Sequence, residues 1–187
     1  MPKVMTLALL LLLPAGCQSY REAATTSASC QVYFSPHGGC TEAIVTALNR
    51  ATNSVIVQAY SFTSAPIAKA LVDANRRRVQ VAVILDKSQR SEKYSSADFL
   101  EHAGVRTFID ARHAIAHNKV MVIDGATVLT GSFNFTKAAE ENNAENLLVI
   151  VDPALASKYT ANWKAHLEHS VKYESRGTGE TPAGNPF

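Results

Sequence analysis

Short apolar segments with strand periodicity alternate with segments of helical periodicity along most of this chain, and that alternation limits the possible fold. The most apolar segment, residues 79–86, reads VQVAVILD and has no polar face, as expected for a strand covered on both faces of a sheet. Residues 54–62 form a second segment rich in β-branched and aromatic residues. Between them, residues 63–78 begin with Thr-Ser and place Pro66 in the first turn of a predicted helix.

The same alternation continues on both sides of this central unit. Further strands are predicted at residues 30–34, 105–109, within 116–136, and at 145–152, and further helices at 41–52, 97–103 and 153–169. A chain of 187 residues is long enough for one domain with a proper core. The sequence therefore predicts an α/β fold in which a mixed β-sheet is sandwiched between helical layers. The predicted folded domain is 29–172, and 173–187 is predicted to be a disordered tail.

The first 28 residues are predicted to be a signal peptide with a polar linker. Lys3 precedes the apolar run VMTLALLLLL at residues 4–13, which is too short to span a bilayer as a helix. Cleavage after the small residues that end at Ala28 predicts a periplasmic or secreted protein. The alternative is a lipoprotein anchored to the membrane through Cys17, because LLPAGCQS resembles a lipobox, although Pro14 stands where that motif has Leu.

Cysteine usage is consistent with export. Cys30 and Cys40 flank the short segment QVYFSPHGG, and in an oxidising compartment we expect them to form a disulfide. A zinc site formed by Cys30, His37 and Cys40 is the alternative, although a fourth ligand is not evident.

Residues 116–136, AHNKVMVIDGATVLTGSFNFT, carry polar groups through a segment that otherwise has the composition of buried strands. Alternate residues of a strand share a face, so His117 and Lys119 are expected to project the same way. Asp124 and Gly125 predict a hairpin turn between two strands.

The length of that turn decides which residues of the two strands are opposite each other. A two-residue turn sets His117 opposite Ser132, and a loop two residues longer sets His117 opposite Asn134. Either register brings an imidazole, an ammonium, a hydroxyl and an amide to one patch. Such a patch can bind an anion beside a nucleophile, which suits a phosphoryl group.

These residues also match a known signature. His117-Asn118-Lys119, four residues, Asp124, six residues and then Gly131-Ser132-Phe133-Asn134 resembles the HKD motif of the phospholipase D superfamily. Residues 57–71, 130–140 and 143–150 are similar to the small bacterial Nuc-type endonucleases, and the resemblance covers residues 29–172. It implies a phospholipase D-like fold and phosphodiester chemistry.

The resemblance implies a role for each motif residue. His117 is the expected nucleophile, giving a phosphohistidine, while Lys119 and Asn134 hold the non-bridging oxygens and Ser132 assists them. Glu145 matches the acidic residue that orients the catalytic histidine in this family. No metal or other cofactor is expected, because Lys119 supplies the positive charge.

Two further motif positions are assigned to the scaffold. Asp124 is interpreted as structural, bonding across the hairpin or to a buried cation, and Gly131 as part of the structural motif.

One histidine cannot attack phosphorus and also protonate the leaving oxygen on the opposite side. Larger family members carry two copies of the motif, whereas this sequence has one copy and no internal repeat. The second histidine is therefore expected from a second subunit, with the active site at the two-fold interface of a homodimer.

The predicted function is a non-specific endonuclease that hydrolyses DNA, with RNA as a further substrate. The alternative is a phospholipase D or cardiolipin hydrolase acting on phospholipid headgroups. The formal charge of +2 neither excludes nor indicates a nucleic-acid substrate. A serine hydrolase is disfavoured because TGSFN lacks the second glycine of a nucleophile elbow. His102, His166 and His169 are interpreted as surface residues. His113, four residues before His117, is interpreted as a solvated loop residue, with metal binding as the alternative.

Overall fold

The computed structural model describes residues 28–92 and 95–175. Residues 1–27 of the predicted signal peptide and linker, with the candidate lipid anchor at Cys17, lie outside the described residues, as do residues 176–187 of the predicted tail. Tyr173, at the start of that predicted tail, is buried, and its N–H donates to the Thr107 carbonyl. Within the described residues, no helix is both long and apolar enough to cross a membrane.

Eight strands form one mixed sheet in the order β1-β7-β6-β5-β2-β3-β4-β8. The strands are β1 Ser29–Ser35, β2 Ser54–Ala59, β3 Gln80–Asp86, β4 Arg106–Asp110, β5 Lys119–Ile123, β6 Thr127–Gly131, β7 Glu145–Val151 and β8 Val171–Lys172. The helices are α1 Cys40–Arg50, α2 Ala65–Arg76, α3 Ala97–His102, α4 Lys137–Glu141 and α5 Pro153–Leu167, with a 3-10 turn at Lys87–Arg90.

The strand pairing changes from antiparallel to parallel at β2, near the middle of the sheet, and β8 at the far edge is antiparallel to β4. β2, β3 and β4 are parallel, because α2 and α3 provide the crossovers that parallel neighbours require. β5, β6 and β7 follow as an antiparallel meander beside β2, and β1 closes that edge. This confirms the predicted mixed sheet.

The two faces of the sheet bury different helices. On one face, α1, α2 and α3 pack against alternate strand residues such as Val57, Val83 and Met121. On the other face, α5 covers the neighbouring positions, including Val122 and Ile84. The sheet therefore lies between helical layers, as predicted.

The β5–β6 hairpin has a register that neither predicted turn length gives. Ile123 pairs with Thr127 and Val120 with Thr130, so three residues lie between the paired positions. Asp124 and Gly125 both adopt positive φ, at 53° and 64°, and Ala126 donates its N–H to the Ile123 carbonyl. Both predicted registers were wrong, because Ala126 belongs to the turn.

The predicted Cys30–Cys40 disulfide is not formed; both cysteines are free. Cys40 is buried at the start of α1, in the core that Tyr33 of β1 also contacts. Cys30 is three residues from Tyr33 on the same strand, so its side chain lies on the opposite face of the sheet. The same separation rules out the alternative zinc site formed by Cys30, His37 and Cys40.

Candidate active site

The antiparallel meander brings the ends of three strands to one edge of the sheet. β5 begins at Lys119, β6 ends at Gly131 and β7 begins at Glu145, with Gly131 paired to Leu147. His117 and Ser132 lie in the chain segments immediately beyond these ends. The fold therefore places all five predicted catalytic residues at the same edge.

Lys119 is a buried lysine beside the exposed His117. Its Nζ donates a hydrogen bond of 2.9 Å to the His117 carbonyl and lies 4.9 Å from the centroid of the Tyr60 ring. A cation over an aromatic face is held by the quadrupole of the ring. The ammonium is thus fixed in position by one carbonyl and one aromatic ring.

The buried surroundings of Lys119 disfavour its protonated, charged form. Burial lowers the pKa of Lys119 below the ordinary value, and the negative charge of Glu145 partly opposes that decrease. An anion bound here would supply further compensation for the buried positive charge.

The His117 imidazole is exposed and packs against Tyr60. The two ring centroids are 4.6 Å apart, with planes inclined by 60°. Tyr60 directly follows β2, and its N–H donates to the Asn118 carbonyl, which joins the end of β2 to the catalytic segment. Tyr60 was not among the predicted site residues, although it lies within the segment 57–71 that carries the family resemblance.

The Ser132 hydroxyl oxygen accepts two hydrogen bonds, both from Asn146. One comes from the Asn146 backbone N–H at 3.0 Å and the other from the Asn146 side-chain amide at 3.3 Å. A hydroxyl has two acceptor lone pairs and one donor, so the O–H remains as the group for a ligand. Ser132 is thereby arranged to donate to an anion.

Gly131 is required by the close approach of β6 and β7. A Cβ at this position would lie 2.2 Å from the Asn146 carbonyl oxygen, and φ is 151°, which side-chain-bearing residues rarely adopt. The N–H groups of Ser132 and Phe133 both donate to that same carbonyl, at 3.1 and 3.2 Å. Glycine therefore allows the backbone to turn into the Ser132–Asn134 segment.

Asn134 and Glu145 are the last two of the predicted catalytic residues at this edge. The Asn134 Oδ1 is buried without a hydrogen-bond partner among the described residues, a costly state that natural sites usually relieve with a ligand or water. Glu145 accepts from the Asn143 side-chain amide at 3.2 Å, and its N–H donates to the Ser35 hydroxyl. Orientation of His117 by Glu145 stays a prediction.

Asp124 lies at the other end of the β5–β6 hairpin and is a scaffold residue. Its carboxylate accepts four hydrogen bonds, from the N–H groups of Thr52, Asn53 and Ser54 and from the Thr52 hydroxyl. Burial disfavours its charged form, but these hydrogen bonds outweigh that cost and hold the pKa of Asp124 below the ordinary value. Its partners are thus Thr52 and Asn53 of the loop between α1 and β2 and Ser54 at the start of β2, and not the opposite hairpin strand.

A family model described as "Cardiolipin synthase, PLD-like domain" matches residues 44–167, about two thirds of the chain. The chain belongs to the phospholipase D superfamily. The sheet edge described above carries the superfamily motif.

Individual relatives of known name indicate the same family. The chain is 40% identical over 150 residues to a phospholipase D of Rickettsia bellii, covering 80% of this chain and 75% of that protein. It is 45% identical over 130 residues to a phospholipase D of Rickettsia felis, covering 70% of this chain and 65% of that protein. This chain thus spans less than two thirds of the R. felis protein.

Among solved structures, the chain is similar to the phospholipase D family member Nuc from Salmonella typhimurium. The two share 37% sequence identity with a TM-score of 0.76, and the match covers 79% of this chain and 99% of Nuc. Superfamily membership and the phospholipase D-like fold were both predicted from the sequence, and both are confirmed.

Proposed function

We propose that this protein is a metal-independent endonuclease that hydrolyses DNA, and RNA as a further substrate, through a phosphohistidine intermediate. The observation that carries the proposal is the pairing of an exposed His117 with a buried Lys119 ammonium, on an edge that also holds Ser132 and Asn134. This set supplies a nucleophile and fixed positive charge without a metal ion.

In the first step, an imidazole nitrogen of His117 attacks phosphorus. A P–N bond forms while the bond from phosphorus to the leaving oxygen breaks, and the leaving oxygen takes a proton from the partner subunit's His117. In the second step, that now neutral imidazole takes a proton from water. The water oxygen attacks phosphorus, the P–N bond breaks, and both histidines return to their starting states.

Lys119, Ser132 and Asn134 would stabilise the charge on the non-bridging oxygens during both steps. Lys119 contributes most in this proposal, since its ammonium is held in a site with little water. Glu145 would orient His117 and support its positive charge, as the family resemblance implies.

A homodimer with one shared active site is part of the proposal, because the mechanism needs two imidazoles on opposite sides of phosphorus. Exposed apolar side chains border the catalytic edge and support a subunit contact there. Ile115, two residues before His117, is 57% exposed, and Phe34, opposite Asn146 in the sheet, is 62% exposed. Burying such side chains against a second copy would be favourable.

Nucleic acid is proposed as substrate on the basis of the likeness to the Nuc proteins, over nearly the full length of the Salmonella structure. The alternative is phospholipid headgroups. It is favoured by the relatives that carry the name phospholipase D. Both substrates present a phosphodiester to the same residues, so activity assays must distinguish them.

The test uses the purified full chain with supercoiled plasmid in the presence of EDTA. We expect nicking and linearisation by the wild-type protein and by His102→Ala, whose imidazole is exposed on α3, but not by His117→Ala. Phospholipid vesicles assayed in parallel should release no headgroup. Intact plasmid together with headgroup release would replace the nuclease with the lipid alternative, and substantial plasmid cleavage by folded His117→Ala would remove the assigned nucleophile.

A further inference from the structure

A second cluster of chemically active side chains lies apart from the motif residues. Asp110 at the end of β4, His113 in the following loop, and His166 and His169 at the end of α5 place one ligand atom each within 4.8 Å of all the others. None of these residues has a role in the proposed reaction. His166 and His169 were predicted to be surface residues, but their side chains are only 17% and 18% exposed.

Three imidazole nitrogens converge on a single carboxylate oxygen. The distances to Asp110 Oδ2 are 2.9 Å from His113 Nδ1, 2.8 Å from His166 Nδ1 and 3.3 Å from His169 Nε2. The three ring centroids lie 4.9 to 5.3 Å apart. A carboxylate oxygen has about two lone pairs, so three N–H donors exceed what this oxygen accommodates well.

The carboxylate is itself held in one orientation. Asp110 is fully buried, and its Oδ1 accepts a hydrogen bond from the Arg112 N–H at 3.1 Å, which leaves Oδ2 turned toward the imidazoles. The carboxylate is therefore an oxygen ligand fixed by a second hydrogen bond, as is common around metal sites.

We propose that Asp110, His113, His166 and His169 form a binding site for a divalent transition-metal ion, with zinc as the best fit. Three imidazole nitrogens and one carboxylate oxygen make a complete four-ligand set of the type that zinc takes. Tetrahedral bonds of about 2.0–2.1 Å place neighbouring ligand atoms about 3.3 Å apart. To admit the ion, the nitrogen–oxygen distances of 2.8 to 3.3 Å would expand by up to about half an ångström, and the widest ligand-atom separations, up to 4.8 Å, would contract.

Magnesium and calcium fit this site poorly. Both ions prefer oxygen ligands, and three of the four ligands here are imidazole nitrogens. The ligand spacing also follows patterns common in zinc sites, since Asp110 and His113 are three residues apart, as are His166 and His169. That repeated spacing was the signal available in the sequence.

The site joins the end of α5 to the loop that leads into the catalytic segment. The same loop is attached to β3 through Asp86, whose carboxylate accepts the Ala116 N–H at 2.7 Å, one residue before His117. A metal ion here would join two pairs of ligands that are more than fifty residues apart in sequence, and would stabilise the base of that loop. This role is structural and is independent of whether the active site cleaves nucleic acid or lipid.

The test uses the untagged full chain after removal of metal by a chelator and dialysis. Cobalt titration should give the visible absorption of a tetrahedral site at one equivalent per chain, and zinc should displace it. Zinc should also raise Tm. His166→Ala and His169→Ala should each weaken binding at least about tenfold and remove the zinc-dependent rise in Tm.

Two matched variants keep the test specific. His102→Ala removes an exposed histidine outside the cluster, and His117→Ala removes the catalytic one; both should bind cobalt like the wild type. If His166→Ala or His169→Ala fails to fold, His113→Ala, at the most exposed ligand, replaces it. Absence of cobalt and zinc binding by folded wild-type protein overturns the proposal. Binding that is unchanged in the cluster variants, or lost in His117→Ala, also overturns it.

Discussion

Lys119 is costly to the fold, and its position beside His117 is explained by the chemistry. Its pKa is lowered chiefly by burial, so at neutral pH the protonated side chain destabilises the folded state relative to an exposed lysine. We therefore expect Lys119→Met to lower phosphodiesterase activity at least about 100-fold, while Tm stays the same or rises. Plasmid cleavage and thermal unfolding of the same preparation measure the two effects.

Lys137→Met is the matched control for that substitution. Lys137 is exposed on α4, where it forms an ion pair with Glu141, and it should tolerate the change in both measurements. A large fall in Tm for Lys119→Met would mean that Lys119 stabilises the fold. Activity close to wild type would contradict its role at phosphorus.

At the scale of single residues, the motif positions could be predicted because their spacing in the sequence is fixed. His117, Lys119 and Ser132 could be assigned together because strand alternation and the HKD spacing both apply to them. Tyr60 could not be assigned in this way, since only the folded sheet brings the end of β2 beside β5. The Asp110 cluster was missed for the same reason, because its two halves are more than fifty residues apart.

At the scale of elements, Asp124 connects the β5–β6 hairpin to the loop before β2. Its four hydrogen bonds involve a charged acceptor, whereas an amide at this position can accept fewer of them and adds an N–H₂ group to the same loop. We expect Asp124→Asn to destabilise the protein by about 2 kcal/mol, measured by denaturant unfolding. Asp73→Asn, at an exposed ion-pairing carboxylate on α2, should change stability much less.

The pH dependence of the Asp124 contribution has a definite sign. The folded pKa of Asp124 lies below the value of 3.8 for an unperturbed aspartate. The stabilisation is therefore fully present above that value and is lost as pH falls through the folded pKa. The Tm difference between wild type and Asp124→Asn should be large at pH 7 and shrink in acid. A difference that grows in acid would contradict this account.

Most elements could be predicted because each has its own local signal. β3 is an unbroken apolar run, and α2 starts with Pro66 in its first turn. The hairpin register could not be predicted, since it depends on whether Ala126 joins the turn. The short elements α4 and β8 were missed; β8 has only two residues and depends on pairing with β4. The cysteine prediction failed because it used sequence separation and ignored which face of β1 carries Cys30.

At the scale of the whole molecule, the middle of the sheet forms the core and one edge carries the motif residues. The helices cover the middle of both faces, and the edge where β5, β6 and β7 meet carries the motif. Val32 and Phe34 of β1 are exposed on the flank of that edge. In the proposed homodimer, a subunit interface through this edge would bury this exposed apolar flank.

A shared site makes a quantitative prediction for mixed subunits. If wild-type and His117→Ala chains are mixed in equal amounts and allowed to exchange, about one quarter of the dimers carry two intact histidines. A single site that needs both imidazoles then gives about one quarter of the wild-type activity per total chain, whereas independent sites give about one half. Mixing wild type with Lys137→Met should preserve full activity, which controls for losses during exchange. Activity of one half in the His117→Ala mixture, or a monomer by sedimentation in an active preparation, would contradict the two-fold site, because each chain would then complete the reaction with its own single histidine.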